Sequence, residues 1–306
     1  MRHKNVQDNG IEEIKKVRKK IFLYSAAILL ALNIFCWNEV FVLVLGENVL
    51  KVYFLDVGQG DAAFIETPQH HQILIDGGPD STVLSKLQDL MPAKDMSLDL
   101  IILTHPEKDH IAGFLDVLQR YKVDYILWTG VVRDTPEYNQ WVKLLKEEQA
   151  DDTQIIISQS GQEIIVGDVT IDTLYPLENL EGRKMEKTSN DSCIVSRLVF
   201  GNNSFLFTGD IDSQAEKELV NQGSDLSSNV LKVAHHGSKY STSELFLENV
   251  GPEIAVIEVG KNSYGHPTPE VLQRLDKFGI KVLRTDTDGD IEMVSDGNTI
   301  NVKNTR

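Results

Sequence analysis

Four potential metal ligands lie on one short turn of this chain, and they constrain its fold more than any other feature. The turn, Thr104–His110, follows an apolar run at residues 98–103 that predicts a buried strand. The residues from Ile111 onward have the spacing of the first turns of a helix. Imidazole and carboxylate groups are the ligands that divalent metals take from proteins. We therefore predict that this turn aims metal ligands at one point: His105, Glu107, Asp109 and His110.

Other polar residues follow apolar runs in the same way. Asp210 comes directly after an apolar run that ends at Thr208, and the pair His235–His236 follows another at residues 230–234. His266 lies in a predicted loop before a helix. In α/β proteins, polar groups at strand ends gather along one edge of a sheet. A helix cap or a hydrogen-bonded core histidine would explain one case, but four cases favour a shared site.

Strand-like and helix-like segments interleave along the body of the chain, which indicates sheets covered by helices. No internal repeat or low-complexity tract interrupts residues 47–306, and this length suffices for one large domain. The predicted helices lie at residues 83–90, 136–148, 213–221, 243–250 and 269–278, besides the one that follows the ligand turn. The predicted strands lie at residues 49–57, 62–67, 73–75, 98–103, 123–128, 154–157, 169–175, 194–200, 204–208, 230–234, 254–259 and 281–284, with a hairpin at 291–302.

The N-terminal region predicts a membrane anchor. An apolar stretch at residues 21–45, interrupted at 37–39, is about as long as a membrane helix needs to be, and a lysine- and arginine-rich cluster precedes it. The positive-inside rule then places residues 1–20 in the cytoplasm and the domain at 47–306 outside it, with the chain crossing the cell membrane once. A cleaved signal peptide, a lipid anchor on Cys36 and a buried core helix are the alternatives.

The charge distribution limits the classes of partner. The chain of 306 residues has a formal net charge of −16, with +3 in residues 1–45 and −19 in the remainder. So acidic a body argues against broad electrostatic binding to nucleic acid, although a local basic groove is compatible with it. The two cysteines, Cys36 and Cys193, cannot form a disulfide framework.

The motifs and their order resemble the metallo-β-lactamase hydrolase superfamily, and within it the hydrolase domain of ComEC-type DNA-uptake (competence) proteins. The resemblance covers nearly all of residues 50–300 and implies an α/β (α+β) fold, the αββα sandwich, with metals at one edge of two sheets. It implies one or two divalent ions, for which Mn²⁺, Mg²⁺ and Zn²⁺ are the candidates. The segments that carry it are 54–62, 74–78, 104–110, 208–210, 230–238 and 264–269.

The resemblance also implies roles for individual residues. Asp109, His110, Asp210 and His266 correspond to one metal site, and Asp210 would bridge to a second site that contains His105 and Glu107. His235 or His236 matches a catalytic histidine, and Asp109 would orient the attacking water. Two departures leave the second site poor in nitrogen: Glu107 replaces the usual middle histidine, and no histidine occurs at residues 189–192.

Further polar residues are predicted to support the site. Asn190 could bind substrate or complete the second metal site, and Asp191 lies beside it as a support or alternative ligand. Ser238 and the backbone amide of Gly237 could bind a phosphate oxygen. Asp76 is predicted to orient the ligand turn through hydrogen bonds.

These features favour a membrane-anchored, outward-facing metal-dependent phosphodiesterase, with DNA as the first candidate substrate and no obligate protein partner inferred. Two alternatives remain open. The enzyme could act on another extracellular phosphoester, of the choline-phosphate or teichoic-acid type, or the chain could be an inactive binding module. A basic groove beside the metals would favour DNA, whereas a small aromatic pocket would favour the other phosphoester.

Overall fold

The computed structural model describes residues 18–37, 48–150 and 152–305. The chain divides into two compact units, Met1–Asn48 and Val49–Arg306. In the first, helix α1 (Arg18–Trp37) has 20 residues, and its length and apolar composition would allow it to cross a membrane. A signal sequence has the same properties, so this helix alone is weak evidence of an anchor. The predicted span continues into residues 38–47, which lie outside the described residues.

The second unit contains two sheets. The first has the strand order β15-β14-β1-β2-β3-β4-β5-β6, and the second has the order β13-β12-β11-β10-β9-β8-β7. The strands are β1 (Leu50–Phe54), β2 (Ala63–Glu66), β3 (Gln72–Ile75), β4 (Ser97–Ile102), β5 (Lys122–Trp128), β6 (Gln154–Ile157), β7 (Glu163–Val166), β8 (Val169–Tyr175), β9 (Val195–Phe200), β10 (Asn203–Phe207), β11 (Val230–Lys232), β12 (Ile254–Ile257), β13 (Lys281–Arg284), β14 (Ile291–Ser295) and β15 (Ile300–Asn304).

Helices cover the outer face of each sheet. Helices α2, α3 and α4 pack on the first sheet, and α5, α6 and α7 pack on the second. Their bounds, with that of the short helix α8, are α2 (Thr82–Leu90), α3 (Lys108–Val117), α4 (Pro136–Ala150), α5 (Ser213–Gln222), α6 (Glu244–Val250), α7 (Pro269–Lys277) and α8 (Thr285–Asp288). The predicted four-layer αββα sandwich is therefore present.

Alternation along the strands builds this layering. In β10, Phe205 and Phe207 point into the core between the sheets, whereas Leu206 points toward the helices. The ring of Phe207 stacks on Phe54 of β1 at a centroid distance of 5.9 Å, which joins the two sheets. Because successive side chains of a strand point to opposite faces, one apolar run can supply two cores.

The topology brings several strand ends to one edge. Strands β3 to β6 run parallel in the first sheet, and β10 to β13 run parallel in the second. The carboxyl ends of β4, β10 and β11 precede His105, Asp210 and His235. The polar residues that the sequence places after these strands therefore meet at this edge.

Candidate metal centre

Four side chains come within reach of a single metal ion at this edge: Asp109, His110, Asp210 and His236. One nitrogen or carboxylate oxygen of each lies within 4.8 Å of the others. His236 Nε2 is 3.3 Å from Asp109 Oδ2 and 3.8 Å from Asp210 Oδ2, and His110 Nε2 is 3.5 Å from Asp210 Oδ2.

Asp76 fixes the turn that carries two of these ligands. Its Oδ1 accepts a hydrogen bond from the Thr104 backbone N (2.8 Å), and its Oδ2 accepts from Thr104 Oγ1 (2.7 Å) and from His110 Nδ1 (2.8 Å). When Nδ1 of His110 donates to Asp76, Nε2 is left with its lone pair directed toward Asp210, as a metal ligand requires. Asp76 thus makes the orienting contacts that the sequence analysis assigned to it.

His105 is held in the same tautomer by a different partner. Its Nδ1 lies 3.0 Å from Thr104 Oγ1, whose own hydrogen is donated to Asp76. The hydroxyl oxygen must therefore accept from Nδ1, and Nε2 of His105 is buried and has no hydrogen-bond partner in the part of the chain that the structure describes. Its ring centroid lies 4.2 Å from that of His110, so the free nitrogen is beside the four-residue group.

The two histidines after β11 are directed into the site by an unusual backbone. His235 and His236 both have φ +51°, and Gly237 follows with φ +81°. Left-handed conformations cost a residue with a side chain of order 1 kcal/mol or more, and such strain concentrates at functional sites. The 3₁₀ turn Ala234–Gly237 turns the two imidazoles in different directions, with ring planes 72° apart.

His236, and not His266, joins the metal group, which corrects the assignment made from the resemblance. Nδ1 of His236 donates to the carbonyl oxygen of Glu258 (2.8 Å), which directs Nε2 to Asp109 and Asp210. His266 lies farther out, with its ring 5.6 Å from that of His235, and it is not part of the group. The motif order could not distinguish these histidines because both lie at the same edge.

Glu107 lines the cavity but is bound to a neighbouring loop. Its Oε1 accepts hydrogen bonds from the backbone N and the hydroxyl of Ser189, both at 2.8 Å, and forms an ion pair with Arg133 at 2.9 Å. Arg133 also donates to the carbonyl oxygens of Met185 and Lys187. Glu107 therefore ties the loop at residues 185–190 to the ligand turn, and it is outside the four-residue group.

The remaining predicted residues divide between the cavity and the turn beneath it. Asn190 and Asp191 line the cavity, and Asn190 Nδ2 lies 3.4 Å from Nδ1 of His235. Gly237 and Ser238 are buried and are not among the lining residues. The Gly237 carbonyl accepts from the backbone N and hydroxyl of Thr268, so Gly237 stabilises the turn, and phosphate binding by the Gly237 amide and Ser238 stays a prediction.

Sequence reasoning missed three buried charged residues behind the histidines: Asp61, Lys232 and Glu258. Lys232 Nζ forms a short ion pair with Asp61 and lies 4.0 Å from Asp210 Oδ1. Asp61 Oδ1 is 3.2 Å from Nδ1 of His236, and Glu258 Oε1 accepts from the Ala62 backbone N. The available signal was a lysine at the end of β11 and a glutamate directly after β12, because a charge beside a central strand needs a buried partner.

Burial lowers the pKa of the histidines, whereas neighbouring carboxylates raise it. Burial and the nearby His110 lower the pKa of His105 to about 3, so this ring is neutral. Burial also opposes protonation of His236, but the carboxylates of Asp210 and Asp61 raise its pKa to about 10. Burial would raise the pKa of Asp210, yet His236 and His110 hold it well below its usual range. A divalent ion would replace the proton that these carboxylates otherwise hold on His236.

The donor set fits a divalent metal ion. Nε2 of His105, Nε2 of His110 and Oδ1 of Asp210 are buried and make no hydrogen bond within the described residues. Buried polar atoms without partners are costly, and an ion coordinated by them would remove that cost. Asp61, Asp76 and His110 form another group whose donor atoms lie within 4.8 Å of one another. Lys232, Thr104 and His110 engage Oδ2 of Asp61 and both oxygens of Asp76, whereas Oδ1 of Asp61 makes no hydrogen bond within the described residues. We therefore take the four-residue group as the principal candidate.

The site opens into a cavity of about 490 Å³. Its lining includes Asp109, Asp210 and three histidines, His235, His236 and His266. Two tyrosines, Tyr240 and Tyr264, also line it. A second cavity of about 600 Å³ adjoins it and shares Thr188, Asp191 and Asp212 with it. Of these two cavities, only the second is lined by lysine or arginine side chains: Arg183, Lys184 and Lys187.

Comparison with known proteins agrees with this geometry. The family model described as the metallo-beta-lactamase superfamily matches residues 55–260, which include every member of the four-residue group. The chain belongs to the metallo-β-lactamase superfamily. Within that superfamily it carries the ligand turn with Glu107 in place of a histidine, and the side chain of Glu107 is engaged elsewhere.

Relatives of known name support a ComEC-type hydrolase domain. The chain is 32% identical to ComE operon protein 3 of Bacillus subtilis over 260 residues, which are 79% of this chain and 32% of that protein. It is 33% identical to competence protein ComA of Neisseria gonorrhoeae over 252 residues, which are 80% of this chain and 32% of that protein. The chain therefore spans about a third of the length of these relatives.

A solved structure shares the metallo-β-lactamase fold. The metallo-beta-lactamase fold protein YhfI from Bacillus subtilis superimposes with a TM-score of 0.55 at 16% sequence identity, covering 81% of this chain and all of that chain. At this identity the similarity establishes the fold alone. Together with the metal-ligating group, the family shows a metal-dependent hydrolase.

Proposed function

We propose that this protein is a phosphodiesterase that hydrolyses DNA or a fragment of it, with the four-residue group holding the metal. The single observation behind the proposal is the group Asp109, His110, Asp210 and His236, of which Asp109, Asp210 and His236 line an open cavity. Bound there, a divalent ion would supply a nucleophilic water at neutral pH and polarise a phosphoryl oxygen. Two imidazoles and two carboxylates suit Mn²⁺ or Zn²⁺ better than Mg²⁺, which prefers oxygen ligands and retained waters.

The chain's own residues would do the remaining work. Asp109 lies at the mouth of the group, with its side chain partly exposed, and can accept a hydrogen bond from an attacking water. His235 lies on the cavity side of Asp210, with Nε2 at 3.8 Å from Oδ2, and is accessible to a substrate. It is placed to donate a proton to a leaving oxygen, and Asn190 at its Nδ1 holds the ring.

DNA is supported as the substrate by two features. The relatives include a protein named for competence, which is the capacity to take up DNA. Three basic residues line the adjoining cavity on one loop, beside five acidic ones, and phosphate groups bind lysine and arginine side chains. Two connected cavities suit a polymer better than a small compact substrate.

A second candidate is a choline-type phosphodiester. The tyrosines of the metal cavity favour it, because aromatic rings bind quaternary ammonium groups. Both candidate substrates undergo phosphodiester hydrolysis, and they differ in the chemical group that would lie against the tyrosine rings.

The proposal is tested with the full chain purified in detergent and stripped of metal by a chelator. Linear DNA, a thymidine phosphodiester and glycerophosphocholine are each incubated with the stripped protein and after addition of Mn²⁺ or Zn²⁺. We expect metal-dependent cleavage of the two nucleotide substrates and loss of that cleavage in Asp109→Asn. Cleavage of glycerophosphocholine alone would favour the second candidate, and no metal-dependent turnover of any of the three would refute a phosphodiesterase.

A further inference from the structure

Two exposed tyrosines lie beside the metal group on separate loops. The residues Tyr240 and Tyr264 are 67% and 74% exposed, and both line the cavity that contains Asp109 and Asp210. Single exposed aromatic residues are common on protein surfaces and need no explanation. Two of them at the mouth of one site raise the question of what covers them.

Hydrogen bonds fix the backbone under each tyrosine, and the Nζ of Lys239 lies over the exposed ring of Tyr240, 5.1 Å from its centroid. Asn262 Oδ1 accepts from the backbone N of Tyr264 and of His266, both at 3.1 Å, and its Nδ2 donates to the His266 carbonyl (2.8 Å). The Tyr240 carbonyl accepts from the backbone N of Ser213 at the start of α5 (2.9 Å). A rigid aromatic side chain on a fixed backbone provides contact area at a small cost in conformational entropy.

The charge of the cavity limits what it can attract. None of its lining residues in the described chain is a lysine or an arginine. Five acidic residues line it: Glu107, Asp109, Asp191, Asp210 and Asp212. The body at residues 46–306 also has a net charge of −19. These carboxylates would repel phosphates away from the metal, so contacts in this cavity with the uncharged parts of a polyanionic substrate would add affinity.

Aromatic rings extend from the surface to the metal group. The ring of Tyr264 lies 5.8 Å from that of His266 with 32° between their planes, and His266 lies 5.6 Å from His235. Burial and the neighbouring His235 lower the pKa of His266, which favours a neutral ring. His235 in turn approaches Asp210. This series of rings offers flat surfaces next to the reacting phosphate.

From this arrangement, and resting on the proposed phosphodiesterase activity, we propose that Tyr240 and Tyr264 form a stacking subsite for unpaired nucleobases next to the scissile phosphodiester. Every base has a π-face, so stacking holds a strand without reading its sequence. A duplex presents its bases already stacked and paired, and it cannot place one on these rings without opening. The subsite therefore selects unpaired nucleotides over duplex DNA and over phosphodiesters that lack a base.

The test compares two substrates with the same backbone charge. An oligothymidylate and an oligomer of the same length in which every nucleotide is abasic are cleaved by the full chain, and kcat/KM is measured for both. We expect the wild-type protein to prefer the base-bearing oligomer, and Tyr264→Ala or Tyr240→Ala to reduce this ratio by roughly 5- to 100-fold. The Phe variants at both positions keep the ring and should keep the ratio.

Tyr125→Ala is the matched control. Tyr125 is also an exposed tyrosine, but it lies on β5 and lines a different cavity. Its variant should show the wild-type ratio.

The possible results separate the subsite from the proposed function. Equal cleavage of both oligomers by the wild-type protein would overturn the subsite and leave the phosphodiesterase standing. A preference that persists in Tyr240→Ala, in Tyr264→Ala and in the double variant would also overturn it. Inhibition by phosphocholine but not by thymidine monophosphate would assign the rings to a quaternary ammonium group instead. Failure to cleave either oligomer, with glycerophosphocholine hydrolysed, would reject the proposed DNA substrate and the subsite together.

Discussion

At the scale of single residues, His236 and His266 lie at one cavity but differ in what they can reach. Nε2 of His236 approaches two carboxylates, whereas the ring of His266 contacts Tyr264 and His235. Loss of a residue that only hydrogen-bonds to a metal ligand typically weakens metal binding by about 10- to 100-fold. We expect His236→Ala to weaken Mn²⁺ binding by more than this, because it removes a ligand. His266→Ala should have a much smaller effect, because it removes no member of the group. Calorimetric titration of the stripped variants measures both affinities, and a larger loss in His266→Ala would reverse the assignment.

Lys232 is the residue whose removal should most disturb the region behind the site. It is buried and paired with Asp61, so Lys232→Met would leave a buried carboxylate without its partner. Breaking such a pair costs about 3–5 kcal/mol of unfolding free energy. The double variant with Asp61→Asn should lose less than the sum of the two single variants, because neither charge remains alone.

A surface pair provides the comparison for Lys232. Lys51 lies 3.1 Å from Glu66, and both side chains are partly exposed. Lys51→Met should cost about 1 kcal/mol or less. Urea unfolding of the four variants measures these differences, and a loss in Lys232→Met no larger than in Lys51→Met would contradict a structural role for the buried pair.

At the scale of elements, the turn after β11 depends on a glycine. A side chain at Gly237 would bring Cβ within 2.6 Å of Pro267, in addition to the strain of φ +81°. Gly237→Ala should therefore destabilise the protein and displace His235 and His236, with weaker metal binding as a result. Gly251, after α6, has φ +59° and no atom within 4 Å of the added Cβ, so Gly251→Ala should cost only about 1–2 kcal/mol of strain.

Unfolding and metal titration of both glycine variants separate these effects. The expected result is a stability loss in both and an affinity loss in Gly237→Ala alone. Equal metal affinity in the two variants would show that the turn tolerates the clash without moving the histidines.

The sequence predicted most elements because the strands are short apolar runs that end abruptly. It missed β7, a four-residue edge strand whose alternating pattern is too short to stand out from a loop. The sequence also placed the predicted metal ligands at one edge of the sheets, but it did not predict which residues pair with one another there. Lys232 meets Asp61 across 171 positions, and Glu107 meets Ser189 across 82. Such pairs depend on how two sheets and a loop pack together, and no local pattern encodes them.

At the scale of the whole molecule, the placement of the hydrolase relative to a membrane remains a prediction. A basic cluster precedes α1, and α1 has the length and composition of a spanning helix. We expect the N-terminus in the cytoplasm and residues 47–306 outside it. Protease added to intact cells or protoplasts should then digest the domain while a cytoplasmic marker survives. Protection of the domain until lysis would contradict this orientation.

The negative charge around the metal group favours the binding of a divalent cation. Among the described residues, carboxylates surround the metal group from several elements, and buried Lys232 offsets part of their charge. A divalent cation would offset more of it, so its binding should stabilise the fold as well as supply the chemistry. The central claim is therefore the position of that ion.

A crystal of the full chain grown with Mn²⁺ tests this claim most directly, through an anomalous difference map. The account predicts a strong peak within about 2.0–2.4 Å of Asp109, His110, Asp210 and His236, with both histidines bound through Nε2. His266 should lie outside that shell, and Asp61 should remain on Lys232. A principal peak bound by His266 or by Asp61 and Asp76, with His236 not coordinated, would contradict the account.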